Sequence, residues 1–267
     1  MPQLTSAVPG LLSGLCDLLL PVVCAGCRRE AAGLICGDCV AALAALSPHQ
    51  VRPDPPPPGL PPCHAAGRYG GRLRELILAY KDRGRHALAV SLADTLGSVL
   101  RAAVPAPRPV LLVPVPTTAK AARERRGDHM LRLTRAAACR LRRDGRSVAI
   151  ARPVRVHSRP DSAGLSAADR VRLARRSLVP RRSLAPGWLP RSGWLSRSRP
   201  AVVVVDDVIT TGATVAAVCD VLSGMGGLVD AVAVLAATER RWRPTRDRVW
   251  WSVAALQTPG DGRARED

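Results

Sequence analysis

Phenylalanine and asparagine are absent from this 267-residue chain, and only 3% of its residues are aromatic. Such a composition offers few rings on which nucleic-acid bases could stack. Lysine is nearly missing too: Lys81 and Lys120 are the only two among 40 basic residues. The formal charge of +19 and the pI near 11.3 point toward nucleic-acid contact. A shortage of Lys, Asn and Phe beside abundant Arg, Ala, Pro and Gly also looks like codon bias, so charge alone is weak evidence for such a partner. No apolar run approaches the roughly 20 residues that span a bilayer. The N-terminal stretch lacks a basic start, and Cys16 and Asp17 interrupt its apolar middle, so it does not read as a signal peptide. Leu11, Leu15 and Leu19 lie four apart, which predicts an amphipathic helix packed on the main domain. A cytoplasmic protein is expected, with its eight cysteines reduced or metal-bound.

The length suffices for one sizeable core and a small accessory unit. Composition breaks divide it. Residues 1–50 hold the N-terminal helix and a four-cysteine unit, and "RPDPPPPGLPP" within 51–62 reads as a stiff proline linker. Residues 63–256 form the main domain, interrupted at 180–200 by an Arg/Ser/Pro/Gly segment without apolar period, read as a mobile loop. A polar tail occupies 257–267. In the main domain apolar strands alternate with amphipathic helices. "PVLLVPV", "SVAIA", "AVVVV", "AVAVLA" and "VWWSVAA" read as strands. Leu73, Leu76, Ile77 and Tyr80 share one helical face; Met130, Leu133, Ala137 and Leu141 share another. The alternation predicts an α/β fold with a mainly parallel sheet flanked by helices.

Cys24, Cys27, Cys36 and Cys39 form two C-x-x-C pairs separated by eight residues. Two tight turns bearing four thiolates suit a tetrahedral zinc ion. Two disulfides, a lost site and an iron–sulfur cluster are the other readings of the same spacing. Cys139 and Cys219 fall within helical patterns and read as core residues.

The stretch "AVVVVDDVITTGATVAAVCDVL" carries the chemistry. Four β-branched residues predict a strand buried on both faces, ending at Asp206 and Asp207. Val215, Val218, Leu222 and Met225 then recur at helical spacing until Gly226 and Gly227. The Thr/Gly segment is thus the turn into a helix N-terminus, where free N–H groups suit a phosphate. Ligands bind at such strand ends in open α/β sheets. Two carboxylates beside a phosphate cradle would repel the phosphate unless they hold hydroxyl groups or a cation. A sugar phosphate supplies hydroxyls and phosphate together. A nucleoside-triphosphatase strand would need G-x-x-x-x-G-K-[ST], which is missing. Helix capping alone does not call for two acids and three threonines.

This motif resembles the phosphoribosyl-pyrophosphate (PRPP) motif of type I phosphoribosyltransferases. With the four-cysteine unit, the chain looks like the ComF family of competence-associated proteins. "RYGGRLRELILAYKDRG", "LLVPVPTTAKAARERRG" and "AGLSAADRVRLARRSL" are similar to further family segments, so the likeness runs from about Cys24 to Thr238. The resemblance implies a type I phosphoribosyltransferase-like sheet preceded by a zinc unit. It implies transfer of a phosphoribosyl group with release of pyrophosphate, linked to competence, DNA uptake or nucleotide metabolism. Asp206 and Asp207 would hold ribose hydroxyls, and Thr210, Thr211, Gly212, Ala213 and Thr214 the 5′-phosphate. Val115 and Arg123 would contact PRPP, Lys81 and Arg126 would assist catalysis, and magnesium would accompany PRPP. The alternative is a PRPP- or nucleotide-sensing module acting through DNA or the competence machinery. The family usually has an aromatic residue, Asn and Gln where this chain has Asp128, His129 and Met130. His129, a single histidine at a helix start, reads as a surface residue.

Overall fold

The computed structural model describes residues 23–157, 176–181, 199–238 and 242–244. The expected N-terminal helix, residues 158–175 and 182–198, the "VWWSVAA" strand and the tail lie outside them.

The β-branched and leucine runs fold as predicted into a buried sheet. Its strands are β1 (His49–Pro53), β2 (Cys63–Arg68), β3 (Val110–Pro114), β4 (Val148–Ile150), β7 (Ala201–Ile209), β8 (Ala231–Ala237) and β9 (Trp242–Pro244). A separate antiparallel pair joins β5 (Val154–Val156) to β6 (Leu178–Pro180). The seven-stranded order is β4-β3-β7-β8-β2-β1-β9, parallel throughout its first five strands. β1 runs antiparallel to both its neighbours. The first residues of the proline-rich stretch are therefore part of the sheet rather than a spacer. Their alternation buries Val51 and Pro53, a local signal that four consecutive prolines obscure.

Because side chains alternate across a strand, β7 feeds two cores. Val203 and Val205 join a cluster under α2 (Gly71–Lys81), α3 (Ala89–Ala103) and α5 (His129–Arg143). Val202 and Val204 join a second cluster under α6 (Ala213–Gly224). Leu73, Leu76, Ile77 and Tyr80 are all fully buried, as are Met130, Leu133, Ala137 and Leu141. Each of these four-residue sets recurs at helical spacing, which fixes one face of α2 and one of α5 against the sheet. The cysteine unit is not detached from this core. Ala25 and Leu43, from α1 (Gly37–Ala44), pack in the same cluster as Leu76. Glu75 reinforces the contact by pairing with Arg28 from the unit and with Arg83. Cys219 is buried as expected, but Cys139 is exposed. Two positions beyond Ala137 and two before Leu141, it falls on the solvent side of α5.

The connections set the position of the site. From β3 the chain crosses through α5 to β4 on one side; from β7 it crosses through α6 to β8 on the other. Parallel crossovers are right-handed, so α5 and α6 cover opposite faces. The adjacent ends of β3 and β7 are thus a topological switch point, with a crevice outside their carboxyl ends.

Candidate functional site

The segments that follow β3 and β7 meet at this crevice. Strand β7 continues through the acid pair to Ile209, so Asp206 and Asp207 point to opposite faces. Asp207 shares the face of Val203 and Val205 and is buried; Asp206 is half-buried. Each anchors one oxygen on the next main-chain amide: the Asp207 N–H donates to Asp206 Oδ1 at 2.9 Å, and the Val208 N–H to Asp207 Oδ1 at 2.7 Å.

Two nitrogen-bearing side chains converge on the other Asp207 oxygen. Lys81 Nζ, from the last turn of α2, stands 2.8 Å from Oδ2. His129 Nε2, from the first residue of α5, stands 3.4 Å from the same atom. Burial pushes the Asp207 carboxyl up, but His129 and Lys81 outweigh it and hold it well below the usual carboxylate range. Burial likewise works against a charged Lys81, and Asp207 overrides it, raising the ammonium above its ordinary value. Burial and then the neighbouring Asp207 charge push the Asp206 carboxyl up to about 7.

His129 is buried, contrary to its reading as a surface residue. Helix-start geometry places it. Asp128 caps α5 by accepting the Leu131 N–H at 3.0 Å; the same Oδ1 takes the Thr117 hydroxyl, and Oδ2 takes Arg152 at 2.8 Å. The buried Tyr80 hydroxyl donates to the His129 carbonyl at 2.6 Å. The Asp128 cap and the Tyr80 bond fix the start of α5 with His129 turned inward, an orientation that no local sequence pattern announces.

The turn after β7 has the expected form. Gly212 adopts φ of +73°, and α6 begins at Ala213. A Cβ at Gly212 would lie 3.0 Å from Pro53 Cγ and 3.3 Å from Leu60 Cδ2, so the left-handed backbone that favours glycine is also tightly crowded. The Ala213 N–H donates weakly to Thr211 Oγ1 at 3.4 Å. Thr210 is exposed, and Thr211 and Thr214 are half-buried. Arg123, on α4 (Ala119–Glu124), and Arg126, at φ +51°, are exposed in the segment after β3. Val115 continues the pairing by donating its N–H to Val205 O at 2.9 Å. Its side chain lies in the core, which leaves only its main chain for a ligand.

The cysteine cluster lies elsewhere, on the α2 side. Sγ atoms of Cys24, Cys27, Cys36 and Cys39 all lie within 4.8 Å of one another, and Cys27 and Cys36 are 3.6 Å apart. Thiolates around zinc at about 2.3 Å sit roughly 3.8 Å from each other. The four cysteines therefore cluster at a spacing consistent with one shared metal ion, and no disulfide forms among the described residues. Gly26 makes the closure possible, because a Cβ there would lie 2.9 Å from Cys39 Sγ. The Gly26 and Cys36 N–H groups donate to Cys24 Sγ at 3.4 and 3.3 Å. Burial opposes ionisation of Cys24, but main-chain N–H groups prevail and lower its thiol to about 6.

Among the described residues no helix is long and apolar enough to cross a membrane. No family model matches the chain, and no curated protein is significantly similar to it.

Proposed function

We propose that the crevice binds PRPP or a related ribose 5-phosphate and that the protein is a phosphoribosyltransferase of the ComF type. One observation carries this reading: a carboxylate pair and a glycine-gated helix N-terminus meet at the switch point of a parallel sheet. The turn from Thr210 to Thr214 offers N–H and hydroxyl donors to a 5′-phosphate. At the acid pair, the half-buried Asp206 offers acceptors to ribose hydroxyls. Arg123 and Arg126 offer exposed positive charge to a pyrophosphate leaving group. The bond from C1 to pyrophosphate breaks as the bond from C1 to an acceptor nucleophile forms. The protein contributes positioning and charge stabilisation. Magnesium, bound with PRPP, would neutralise pyrophosphate and engage ribose oxygens. The four cysteines hold a structural zinc in this reading, and the protein works in the cytoplasm on competence or nucleotide metabolism.

A second reading, PRPP or nucleotide sensing without turnover through DNA or protein partners, is favoured by His129. Where the resembled family usually has Asn, this chain buries an imidazole against Asp207. Calorimetry with PRPP and magnesium, followed by pyrophosphate release across bases and amine donors, separates the two. Binding with release supports the transferase, and binding without release the sensor. Absence of binding overturns both.

A further inference from the structure

We infer that the two adjacent aspartates divide the work, with Asp206 meeting the ligand and Asp207 held out of contact by two positioning residues, Lys81 and His129. The inference rests on the ribose-phosphate reading and deepens it. Asp207 Oδ1 takes the Val208 N–H, and Oδ2 is shut away from solvent beside Lys81 Nζ at 2.8 Å and His129 Nε2 at 3.4 Å. Its side chain is 5% exposed. Asp206 is half-buried, and among the described residues only the Asp207 N–H donates to it, at Oδ1. Strand alternation starts the two side chains toward opposite faces, so a ligand on the α6 side reaches Asp206 first. The Asp207 side lies under α2 and α5, whereas the Asp206 side is that of α6, whose N-terminus forms the phosphate turn.

Charge gives the division its consequence. Facing the pair are Lys81 and Tyr80 from α2 and Asp128 and His129 from the start of α5. Arg125 and Arg132 act from one layer further out. On the other face, α6 has no charged residue before Asp220. Lys81 and His129 lie nearest Asp207; Lys81 also draws the Asp206 carboxyl down, but burial and the Asp207 charge outweigh it, so Asp206 takes up a proton near neutrality while Asp207 stays ionised. Ionised Asp206 accepts hydrogen bonds from sugar hydroxyls, so ligand affinity should rise as pH passes through about 7.

The experiment has two arms on the full-length protein. Carbon-13 carboxyl NMR of the ligand-free parent follows both aspartates through a pH titration, alongside His129→Gln and His129→Leu. Calorimetry with PRPP and magnesium then compares these proteins with Asp206→Asn. The parent should show Asp206 titrating near neutrality and Asp207 below the usual range. His129→Leu should move the Asp207 midpoint upward, and His129→Gln, which keeps an N–H near Oδ2, should restore most of it. Asp206→Asn should bind more than tenfold more weakly, and its residual affinity should lose the pH dependence. Two aspartates that titrate alike, or an Asp207 midpoint indifferent to both His129 variants, would overturn the division. So would parent-like affinity in Asp206→Asn. A parent that shows the unequal titration but binds no PRPP overturns the ribose-phosphate reading and the ligand role of Asp206 with it, while an equal titration in a parent that does bind PRPP overturns the division alone.

Discussion

At the scale of residues, the acid pair makes stability depend on pH in two opposed ways. Asp207 is held below the ordinary carboxylate range, so its share of stability is complete above the unfolded value and is lost only in strong acid. Asp206 is raised to about 7, which has the opposite sign. The folded chain holds its proton where the unfolded chain has released it, so that contribution is full below about pH 4 and disappears as pH rises through about 7. Asp206→Asn should therefore be more stable than the parent at pH 8, by about 1–2 kcal/mol once half-exposure is allowed for, and nearly equal at pH 4. Urea titrations at both pH values check this; a variant less stable at pH 8 would contradict it. Lys81→Met leaves a buried carboxylate with only His129 beside it. Removing one partner of a buried pair costs about 3 kcal/mol, read in the same titrations, and a loss under 0.5 kcal/mol would mean that the pair contributes nothing net.

At the scale of elements, two joints decide whether the site keeps its shape. The turn from Thr210 to Thr214 leads into α6 beside the proline-rich segment, whose Pro53, Pro57 and Leu60 occupy the space that a Cβ at Gly212 would need. Gly212→Ala combines a left-handed backbone with a 3.0 Å clash, so it should cost about 2–3 kcal/mol and weaken phosphate binding as well. The second joint is the cysteine unit on α2. Its turns carry few buried apolar side chains beyond Ala25, Ile35 and Leu43, and a metal held by the four cysteines would supply what that small core cannot. The purified protein should contain about one equivalent of zinc. Chelation should expose residues 24–45 to protease first while the sheet keeps its circular dichroism. A metal-free protein with the same protease resistance would refute a structural metal. These elements were unequally legible. The strands beginning at Val110 and Ala231, and the first five residues of the one beginning at Ala201, announce themselves because they are buried on both faces and so are apolar at every position. β1 was hidden among prolines, and β5 and β6 are three residues each, too short for any period to show.

Across the whole molecule, two cores lie back to back on one sheet, and 40 basic residues outnumber 21 acidic ones. A net charge of +19 should attract duplex DNA without regard to sequence. Fluorescence anisotropy should show an affinity that falls steeply, by tenfold or more, between about 50 and 200 mM salt. If that binding involves the crevice, PRPP with magnesium will compete with it; if it is a property of the general surface, PRPP will leave it unchanged. Salt-independent binding would point to a specific contact that charge does not explain.

What the sequence by itself determined was the set of parts: the apolar runs that must be buried, the acid pair with its threonine–glycine turn, and four cysteines at metal-ligand spacing. Those signals are local, written in periodicity and composition within some 20 residues. Tertiary structure alone decided which parts meet. The order β4-β3-β7-β8-β2-β1-β9 places chain segments from residue 81, residue 129 and residue 207 around one carboxylate. No pattern near His129 separates an exposed helix start from one that faces a buried acid, because the difference lies in Asp207, 78 positions further along the chain. Burial and opposite charge act through space, and it is through space that two identical adjacent residues came to have unlike environments.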